Sequence, residues 1–525
     1  MLTVENLSVS FVTRMGTTQA VDDVSFNVKS GEITAIIGES GSGKSVACYS
    51  LLGLVPQPPG RIDSGSALFE GTDLLQLGEA ELRKIRGRDI AMVFQDPMTC
   101  LNPYMTIGKQ LMEPLRLHGN VSRTEARRRA LELLEEVGIR EPGSTFDNYP
   151  HQFSGGMRQR VMIAMALINE PKLLIADEPT TALDVTIQAQ ILKLLAELQQ
   201  RRNIGIIFIS HDLSVVADIA DQIVVMEQGR VVEHGNREAI FENASHPYTR
   251  KLLSAIPTGA NPYPVEGGDT LIRVQNLRTW FTENHETVKA VDDVSFDIRR
   301  GEVLGLVGES GSGKSTIGRS ILRLVPVTSG SVSFDGTNLT ALSRSAMTSM
   351  RQRMQIIFQD PFASLNPRMT IFDTLAEPLL LHGIENRRSV AQAVLQLMDK
   401  VGLARQFARK YPHEFSGGQR QRIAIGRALA TRPEFVVADE PVSALDVTIQ
   451  AQILELLHEL GREEGLTMLF ISHDLAVVRQ VADRIIVLHE GRIVEQAQAE
   501  TLFQHPQESY TQQLLKSIPG RSIRA

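Results

Sequence analysis

The sequence predicts an α/β protein made of two tandem copies of one domain. An eight-residue glycine-rich segment at 38–45 (GESGSGKS) recurs at 308–315, displaced by 270 residues (308 − 38). An eleven-residue segment, ALDVTIQAQIL, occurs at 182–192 and again without change at 444–454. Between these landmarks, short apolar runs alternate with helical patterns, which is the arrangement typical of an α/β sheet.

The short apolar runs have the pattern of strands buried in a parallel sheet, because each is bounded by turn-forming or charged residues. Three such predicted strands are Ile33–Ile37, 173–176 and 204–210. A helix is predicted over 123–137, where apolar residues recur at helical intervals among charged ones. Ser122 and Glu125 have the spacing of a capping box at the start of that helix.

The 525 residues therefore divide into a first domain over 1–257, a linker over 258–269 and a second domain over 270–525. The linker is rich in Pro and Gly, as connecting segments often are. The displacement between the copies falls to 262 residues at later motifs (416 − 154), so the second copy is eight residues shorter (270 − 262). We place this difference in surface loops.

Composition restricts the partners and the compartment. The net charge of −7 gives no basic surface, so we expect no nucleic-acid partner. No run approaches the roughly 18 apolar residues of a membrane span, and the first residues lack the pattern of a secretion signal. Two cysteines, Cys48 and Cys100, cannot form a disulfide framework or a cysteine metal cage. We expect a protein of the cytosol or of the cytosolic face of a membrane.

The repeated glycine-rich segment fits the pattern G-x-x-x-x-G-K-[ST] and follows a predicted strand. In such a loop the backbone amides wrap phosphates, the lysine reaches the β and γ oxygens, and the hydroxyl ligates Mg²⁺. The helix that starts near the lysine directs its positive end at the same anion. The alternative to a phosphate-binding loop is a glycine-rich turn that binds no ligand. This alternative is disfavoured because the segment occurs twice, each time within the same order of motifs. The candidate phosphate-binding residues are Gly38, Glu39, Ser40, Gly41, Ser42, Gly43, Lys44 and Ser45, and Gly308, Glu309, Ser310, Gly311, Ser312, Gly313, Lys314 and Ser315.

Two apolar runs end in paired acids, Asp177-Glu178 and Asp439-Glu440. An acid at the tip of a strand is placed to hold Mg²⁺, usually through water, as in other enzymes with such a loop. The glutamate that follows is then positioned to polarise an attacking water as a general base. The alternative is a solvated charge pair after a buried strand.

His211 and His473 each end another apolar run, 33 residues beyond the glutamates (211 − 178 and 473 − 440). A single histidine at a strand end is usually structural. Two histidines at equivalent positions are better interpreted as sensors of the γ-phosphate.

A Ser-Gly-Gly motif opens a helical stretch in each half. Serine is a good N-cap, and two glycines leave the start of the helix bare enough to meet a phosphate. Taken alone, each motif would be interpreted as an ordinary helix cap. The candidate residues are Ser154, Gly155 and Gly156, and Ser416, Gly417 and Gly418.

The motifs follow one another in the same order in both halves: glycine-rich loop, glutamine (Gln95 or Gln359), Ser-Gly-Gly, acidic strand and histidine. This ordered set resembles the nucleotide-binding domain of ATP-binding cassette (ABC) proteins over essentially the whole chain. The resemblance implies two tandem P-loop NTPase domains, each a mixed sheet core with a helical subdomain, with Asp184 and Asp446 in the D-loops. It implies an ATPase with Mg²⁺ held through ATP by Ser45, Gln95 and Asp177, and by Ser315, Gln359 and Asp439. The implied catalytic residues are Glu178, His211 and Gln95, and Glu440, His473 and Gln359.

In this family the two domains stack head to tail. The resemblance therefore implies that Ser416 and Gly418 close the site built on Lys44, and that Ser154 and Gly156 close the site built on Lys314. Because both glutamates and both histidines are present, two hydrolytic sites are predicted.

Other positions follow from the same resemblance. Phe11 and Phe281 correspond to the aromatic residue that stacks on adenine, with Trp280 as a rival in the second half. The Ser-Gly-Gly motifs correspond to the signature sequence of the family, and they depart from its usual pattern. Phe153 and Phe415 replace the usual Leu before the serine, and Met157 replaces Gln after the glycines of the first motif. We expect modest effects from these departures.

Two kinds of sequence element resemble the peptide/opine/nickel branch of bacterial importers. One follows the Q-loop of each half, which is the segment around Gln95 or Gln359, and the other lies at the end of each half (for example His246-Pro-Tyr-Thr and Ile518-Pro). A terminal helix that packs on its own domain is the alternative for the end elements. The branch implies two transmembrane permease subunits, an extracytoplasmic substrate-binding protein and a peripheral location on the cytoplasmic face of the inner membrane. The absence of cysteine after the ATPase cores predicts no iron–sulfur cluster.

The competing hypothesis is a soluble twin-cassette ATPase that acts on ribosomes or DNA. The short linker, the two cysteines and the lack of a sustained heptad pattern disfavour it. An exporter is disfavoured because no membrane span is fused to the cassettes. Peptides are the first choice of cargo, and glutathione-like conjugates, opines, unusual sugars and nickel remain open.

Overall fold

The computed structural model describes residues 1–520 except 15, 120, 182, 258, 263, 266, 267, 284, 285 and 444. The first residues of the repeated eleven-residue segment, Ala182 and Ala444, and four linker positions therefore lie outside the described residues. Contacts divide the chain into two compact units. The first comprises Met1–Leu183 and Ile187–Ile256 with Pro519 and Gly520, and the second comprises Asp184–Thr186 and Pro257–Ile518.

The described residues of the first repeat form ten strands in two sheets. A four-stranded antiparallel sheet has the order β2-β1-β4-β5, and a six-stranded sheet has the order β10-β9-β3-β8-β7-β6. The larger sheet is parallel except for the β10–β9 pair, so it is mixed, as predicted. The strands are β1 (Leu2–Thr13), β2 (Gly16–Val28), β3 (Ile33–Ile37), β4 (Gly60–Phe69), β5 (Thr72–Asp73), β6 (Ile90–Val93), β7 (Leu173–Asp177), β8 (Gly205–Ser210), β9 (Gln222–Glu227) and β10 (Arg230–Asn236).

The helices of the first repeat pack on both sheets, and α4, α5 and α7 form a helical part whose core is continuous with the larger sheet. They are α1 (Lys44–Leu51), α2 (Glu79–Ile85), α3 (Pro97–Cys100), α4 (Ile107–His118), α5 (Arg123–Glu136), α6 (Pro142–Thr145), α7 (Gly155–Leu167), α8 (Val185–Arg202), α9 (Leu213–Ile219), α10 (Arg237–Glu242) and α11 (Pro247–Ser254). Short 3₁₀ turns occupy Leu74–Gln76 and Pro150–Gln152.

The second repeat has the same architecture. Its sheets have the orders β12-β11-β14-β15 and β16-β17-β18-β13-β19-β20. The strands are β11 (Thr270–Glu283), β12 (Glu286–Arg299), β13 (Val303–Val307), β14 (Ser329–Phe334), β15 (Thr337–Asn338), β16 (Met354–Ile357), β17 (Phe435–Asp439), β18 (Thr467–Ile471), β19 (Arg484–His489) and β20 (Arg492–Gln498). The helices are α12 (Lys314–Ile321), α13 (Arg344–Arg353), α14 (Pro361–Ser364), α15 (Ile371–Leu381), α16 (Val390–Lys400), α17 (Gly417–Leu429), α18 (Val447–Glu464), α19 (Leu475–Val481), α20 (Ala499–Gln504) and α21 (Ser509–Lys516). Its 3₁₀ turns are Leu339–Ala341, Arg405–Arg409 and Pro412–Glu414.

The larger sheet of the first unit is buried on both faces. Alternate side chains of β8 enter different cores: Phe208 packs against the helices, whereas Ile207 and Ile209 pack toward α1 and the smaller sheet. Burial on both faces explains why these strands read as unbroken apolar runs in the sequence.

The predicted helix over 123–137 is α5, which ends at Glu136. Ser122 is its N-cap and accepts a hydrogen bond from the Glu125 amide at 3.2 Å. The Glu125 carboxylate pairs with Arg128 and Arg129 instead of returning to the cap. Pairs three and four residues apart on a helix surface explain this choice.

The described linker residues pack on the second unit. The Asn261 side chain donates to Asp483 Oδ1 at 2.9 Å, and the Val265 amide donates to the same oxygen at 2.8 Å. The other oxygen, Oδ2, accepts from the Val303 amide at 2.8 Å, at the start of β13. Asp483 therefore joins the linker to the edge of the core sheet. Within the described part of the chain, no helix combines the length and apolar character that crossing a membrane requires.

Candidate functional site

The glycine-rich loop of each unit connects a core strand to the helix that follows it. In the first unit the loop joins β3 to α1, and Gly38 and Gly43 have φ angles of 151° and 96°. A Cβ atom at Gly38 would lie 2.2 Å from the Met226 carbonyl oxygen, and one at Gly43 would lie 2.3 Å from the Ala20 carbonyl oxygen. Only glycine fits these two positions, because both the backbone angle and the space exclude a side chain.

The lysine of each loop binds the loop's own carbonyl groups. Lys44 Nζ donates to the carbonyl oxygens of Gly38 and Glu39 at 2.7 and 2.9 Å. Lys314 Nζ makes the same bonds to Gly308 and Glu309 at 2.7 and 2.8 Å. Burial lowers the pKa of Lys314. The lysine holds the loop closed with its ammonium group on the inside, where an anion would meet it.

The serine after each lysine contacts the aspartate at the tip of a core strand. Ser45 Oγ donates to Asp177 Oδ1 at 2.9 Å, and Ser315 Oγ donates to Asp439 Oδ1 at 2.7 Å. Both carboxyl groups are almost fully buried, and this burial raises the pKa of each. The second oxygen of Asp439 accepts no hydrogen bond from the described residues. A buried hydroxyl–carboxylate pair with a spare oxygen is a donor set that Mg²⁺ prefers.

The next residue, a glutamate, lies between a histidine and a glutamine in each unit. His211 Nδ1 is 3.1 Å from Glu178 Oε1, and Gln95 Nε2 donates to Glu178 Oε2 at 2.8 Å. In the second unit, His473 Nδ1 is 3.2 Å from Glu440 Oε1 and Gln359 Nε2 donates to Glu440 Oε2 at 2.8 Å. The structure therefore brings together three predicted catalytic residues that are far apart in each half of the sequence.

The glutamates occupy a strained backbone conformation. Glu178 and Glu440 both have a φ angle of 47°, in the left-handed region that residues with a side chain rarely adopt. The Glu178 amide continues the sheet by donating to the Ile209 carbonyl at 3.0 Å, and the Glu440 amide does the same to Ile471 at 3.0 Å. Strain of this kind concentrates at functional sites and persists because the surrounding contacts hold it.

Electrostatics keep the glutamates ionised. Burial by itself would raise the pKa of Glu440, but the hydrogen bond and charge of His473, with the charge of Lys314, lower it overall. Burial likewise opposes a charged His473, and Glu440 raises the pKa of His473 overall. The pKa of Glu178 is lowered in the same way, against burial, by His211. Each glutamate is therefore a carboxylate near neutral pH, ready to accept a proton.

These groups surround a cavity in the second unit. The cavity has a volume of about 180 Å³ and is lined by the phosphate loop, including Lys314 and Ser315, with Gln359 and Glu440. The loop lysine, two of the candidate metal residues (Ser315 and Gln359) and the candidate general base thus face one space that is large enough for phosphate groups.

The Ser-Gly-Gly motifs cap helices α7 and α17. Ser154 Oγ accepts from the Met157 amide at 3.3 Å, and Ser416 Oγ accepts from the Gln419 amide at 3.4 Å. Only the second cap is reciprocal, because the Gln419 side chain also accepts from the Ser416 amide at 3.2 Å. The departure at Met157 therefore costs the first helix one capping bond.

The last glycine of each motif also packs closely on the helix that follows. A Cβ atom at Gly156 would lie 2.6 Å from Ile187 Cγ2, and one at Gly418 would lie 2.3 Å from Ile449 Cγ2. The phenylalanines that replace leucine, Phe153 and Phe415, are buried in the helical cores. They act through packing.

The aromatic candidates lie on the smaller sheets. Phe11 is partly buried on β1, and Phe281 is 38% exposed on β11 opposite Val288. Trp280 lies opposite Lys289, whose ammonium is 5.0 Å from the centre of the Trp280 ring. Among the described residues, the cavity wall includes neither Phe281 nor Trp280, although Ala290, next to Lys289, belongs to it.

Sequence analysis missed a contact between the terminal helix of each half and the phosphate loop. The Glu39 amide donates to the Tyr248 hydroxyl of α11 at 3.0 Å, and the Glu309 amide donates to the Tyr510 hydroxyl of α21 at 3.3 Å. The equivalent positions of these tyrosines (510 − 248 = 262) were the available signal. The end elements do pack on their own units, and they also support the phosphate loop.

Comparison with known proteins fits this geometry. The profile of the ABC transporter family matches residues 21–181 and 291–443. The chain belongs to the ABC transporter family. The profile of the oligopeptide/dipeptide transporter C-terminal region matches residues 232–273 and 494–523, which include the tyrosine helices α11 and α21. The chain is therefore an ATP-binding cassette ATPase with two fused cassettes.

Individual relatives share this tandem organisation over their length. The chain is 48% identical over 556 residues to the glutathione import ATP-binding protein GsiA of Escherichia coli (strain K12), covering 99% of this chain and 89% of the relative. It is 47% identical over 525 residues to the peptidoglycan transport ATP-binding protein YejF of Agrobacterium fabrum, covering 98% and 96%. A solved structure of the ATP-binding cassette MJ0796 with ADP and Pi is 31% identical, covers 44% of this chain and 99% of its own, and gives a TM-score of 0.41.

Proposed function

We propose that this chain is the ATP-hydrolysing motor of a bacterial ABC importer for peptides or peptide-like solutes. The observation that carries the proposal is the same glutamate–histidine–glutamine arrangement in both cassettes, with matching distances. The match to the oligopeptide/dipeptide C-terminal region and the names of the relatives support the import of such solutes. Glutathione import and peptidoglycan transport, the activities named for the relatives, both concern molecules that contain short peptides.

In each cassette, the phosphate loop would bind the β- and γ-phosphates of ATP through its amides and its lysine. Glu178 and Glu440 would accept the proton of the attacking water, because their lowered pKa keeps them ionised. His211 and His473 would orient these carboxylates and sense the γ-phosphate.

Ser45, Gln95 and Asp177, and Ser315, Gln359 and Asp439, would hold Mg²⁺. Gln95 Nε2 is engaged with Glu178, which leaves its amide oxygen as the atom suited to a hard cation. When bound, Mg²⁺ neutralises charge that develops on the phosphates. The two ATP sites would be completed by the signature of the other cassette, as the family pattern implies, with Ser416 and Gly418 for the first site and Ser154 and Gly156 for the second.

We further propose two permease subunits and an extracytoplasmic binding protein as partners, with the chain peripheral on the cytoplasmic face of the inner membrane. Ten residues beyond Gln95, a groove of about 550 Å³ opens on the helical part of the first cassette. Lys109, Arg116 and Leu117 line it, and Leu117 is 75% exposed. A groove with apolar and basic side chains that begins ten residues after Gln95 in the sequence supports docking of a permease helix, whose position would then respond to nucleotide binding.

The ATPase assignment is tested with Glu178→Gln and Glu440→Gln, measured singly and together by steady-state phosphate release. Loss of a general base costs about 10²- to 10⁴-fold at its own site. Each single variant should therefore lose at least about half of the wild-type rate, and the double variant nearly all of it.

The matched control is Glu132→Gln, which changes an exposed carboxylate on α5 that pairs with Arg128. It should retain the wild-type rate. A wild-type rate in either single catalytic variant would contradict the assignment of that site.

A further inference from the structure

The repeat alignment places Tyr49 and Arg319 at the same position of the helix that follows each phosphate loop (319 − 49 = 270). Tyr49 lies on α1 and Arg319 on α12, one turn beyond the serine that contacts the buried aspartate. The preceding segment GESGSGKS is identical in the two cassettes, and the contact made at this position with the second oxygen of the aspartate differs between them.

In the first cassette, a neutral group contacts the aspartate. The Tyr49 hydroxyl donates to Asp177 Oδ2 at 2.8 Å, while Ser45 occupies Oδ1 at 2.9 Å. The tyrosine ring is held edge-on to Phe94, with 6.3 Å between ring centroids. Among the described residues, a hydroxyl and not a guanidinium therefore faces Asp177 Oδ2.

In the second cassette, a cation faces the equivalent carboxylate. Arg319 Nη2 is 3.5 Å from Asp439 Oδ2, the oxygen that accepts no hydrogen bond from the described residues. The Arg319 side chain is 44% exposed, whereas that of Asp439 is 1% exposed. The guanidinium therefore reaches a buried anion from the solvent side.

We propose that Tyr49 and Arg319 are positioning residues that make the two ATP sites unequal in their affinity for the divalent cation. A fixed positive charge beside Asp439 repels a second cation, whereas the Tyr49 hydroxyl bonds to Asp177 Oδ2 without adding a charge. The inference rests on the proposed role of the two aspartates in metal binding. The second site binds the divalent cation about tenfold more weakly than the first, the order of magnitude of one unit charge at contact distance in a partly solvated site.

The test is a titration of Mn²⁺, followed by electron paramagnetic resonance, into the full chain with saturating ADP. Wild type should bind two Mn²⁺ ions with dissociation constants about tenfold apart. Arg319→Tyr should bring the weaker ion to within about twofold of the stronger, and Tyr49→Arg should weaken the stronger one. Because surface charge is screened by salt, the gap in wild type should narrow as ionic strength rises.

Arg319→Gln repeats the test without adding an aromatic ring, in case tyrosine does not pack at position 319. Two equal dissociation constants in wild type, or a gap that both Arg319 variants leave unchanged, would overturn the inference while leaving two metal-dependent nucleotide sites in place. Failure to bind any Mn²⁺ with ADP would overturn the inference together with the proposed metal sites.

Discussion

The Tyr248 hydroxyl connects the last helix of the first cassette to its phosphate loop, and Tyr248→Phe removes that hydroxyl alone. The ring is 6% exposed and packs in the helical core, so phenylalanine keeps the packing. The Glu39 amide then loses its acceptor at 3.0 Å. A lost hydrogen bond of this kind costs about 1 kcal/mol, since the loop is partly solvated.

A cost of about 1 kcal/mol corresponds to about fivefold more frequent opening of the loop. Amide hydrogen exchange of the segment 38–45, followed by mass spectrometry, should therefore accelerate about fivefold in Tyr248→Phe. The affinity for ADP at the first site should fall by up to the same factor, because less of the protein has the loop in its binding conformation.

The other cassette provides an internal control. In Tyr248→Phe the segment 308–315 should keep its exchange rate, and Tyr510→Phe should produce the opposite pattern. The hydrogen bond from the Glu309 amide to the Tyr510 hydroxyl, at 3.3 Å, is longer than that of Tyr248, so Tyr510→Phe should accelerate amide exchange of its loop less. Tyr104→Phe, at a side chain that is 89% exposed, should change neither segment. Unchanged exchange at 38–45 in Tyr248→Phe would refute the claim that α11 supports the loop.

Three further predictions concern the second cassette. Burial raises the pKa of Asp483 to about 6 from 3.8, so the free energy of unfolding should fall by at most ~3 kcal/mol as pH rises from about 4 to about 6. Unfolding in urea, followed by the fluorescence of the single tryptophan, should show that Asp483→Asn removes this dependence on pH, whereas Asp221→Asn, at the equivalent position of the first cassette, retains it. If Phe281 stacks on adenine, Phe281→Ala should weaken ATP binding about fivefold and Trp280→Phe should not, and the reverse result would identify Trp280 as the stacking residue. Gly418→Ala should destabilise the second cassette by about 1–3 kcal/mol in the same unfolding assay, because the new methyl group would lie 2.3 Å from an isoleucine of α18; wild-type stability would show that the helix shifts at no cost.

Sequence reasoning predicted the core strands because parallel strands buried on both faces leave an unbroken apolar run. β3 has the predicted bounds, and β7 and β8 differ from theirs by one residue at one end. That the candidate catalytic residues lie close together was also predictable, since each of them follows the end of a core strand, and the ends of parallel strands meet at one edge of a sheet. Gln95 and Glu178 are 83 residues apart along the chain and 2.8 Å apart in space for this reason.

Other features of the site depend on distances that a sequence does not contain. The contact between Glu39 and Tyr248 spans 209 residues and depends on how α11 packs. The need for glycine at Gly156 comes from Ile187, on a helix that follows a separate strand. Aligning Tyr49 with Arg319 required only the repeat, but their contacts with the buried aspartates required the structure.

We propose that this twin ATPase drives permease subunits in a membrane. The decisive experiment is affinity purification of the chain from detergent-solubilised membranes of its own source, with mass spectrometry of the eluate. Wild type should bring down two multi-span proteins, and Lys109→Glu with Arg116→Glu in the groove should lose one of them while retaining ATP binding. Ribosomal proteins or DNA-repair factors without a membrane partner would contradict the importer and favour a soluble twin-cassette ATPase.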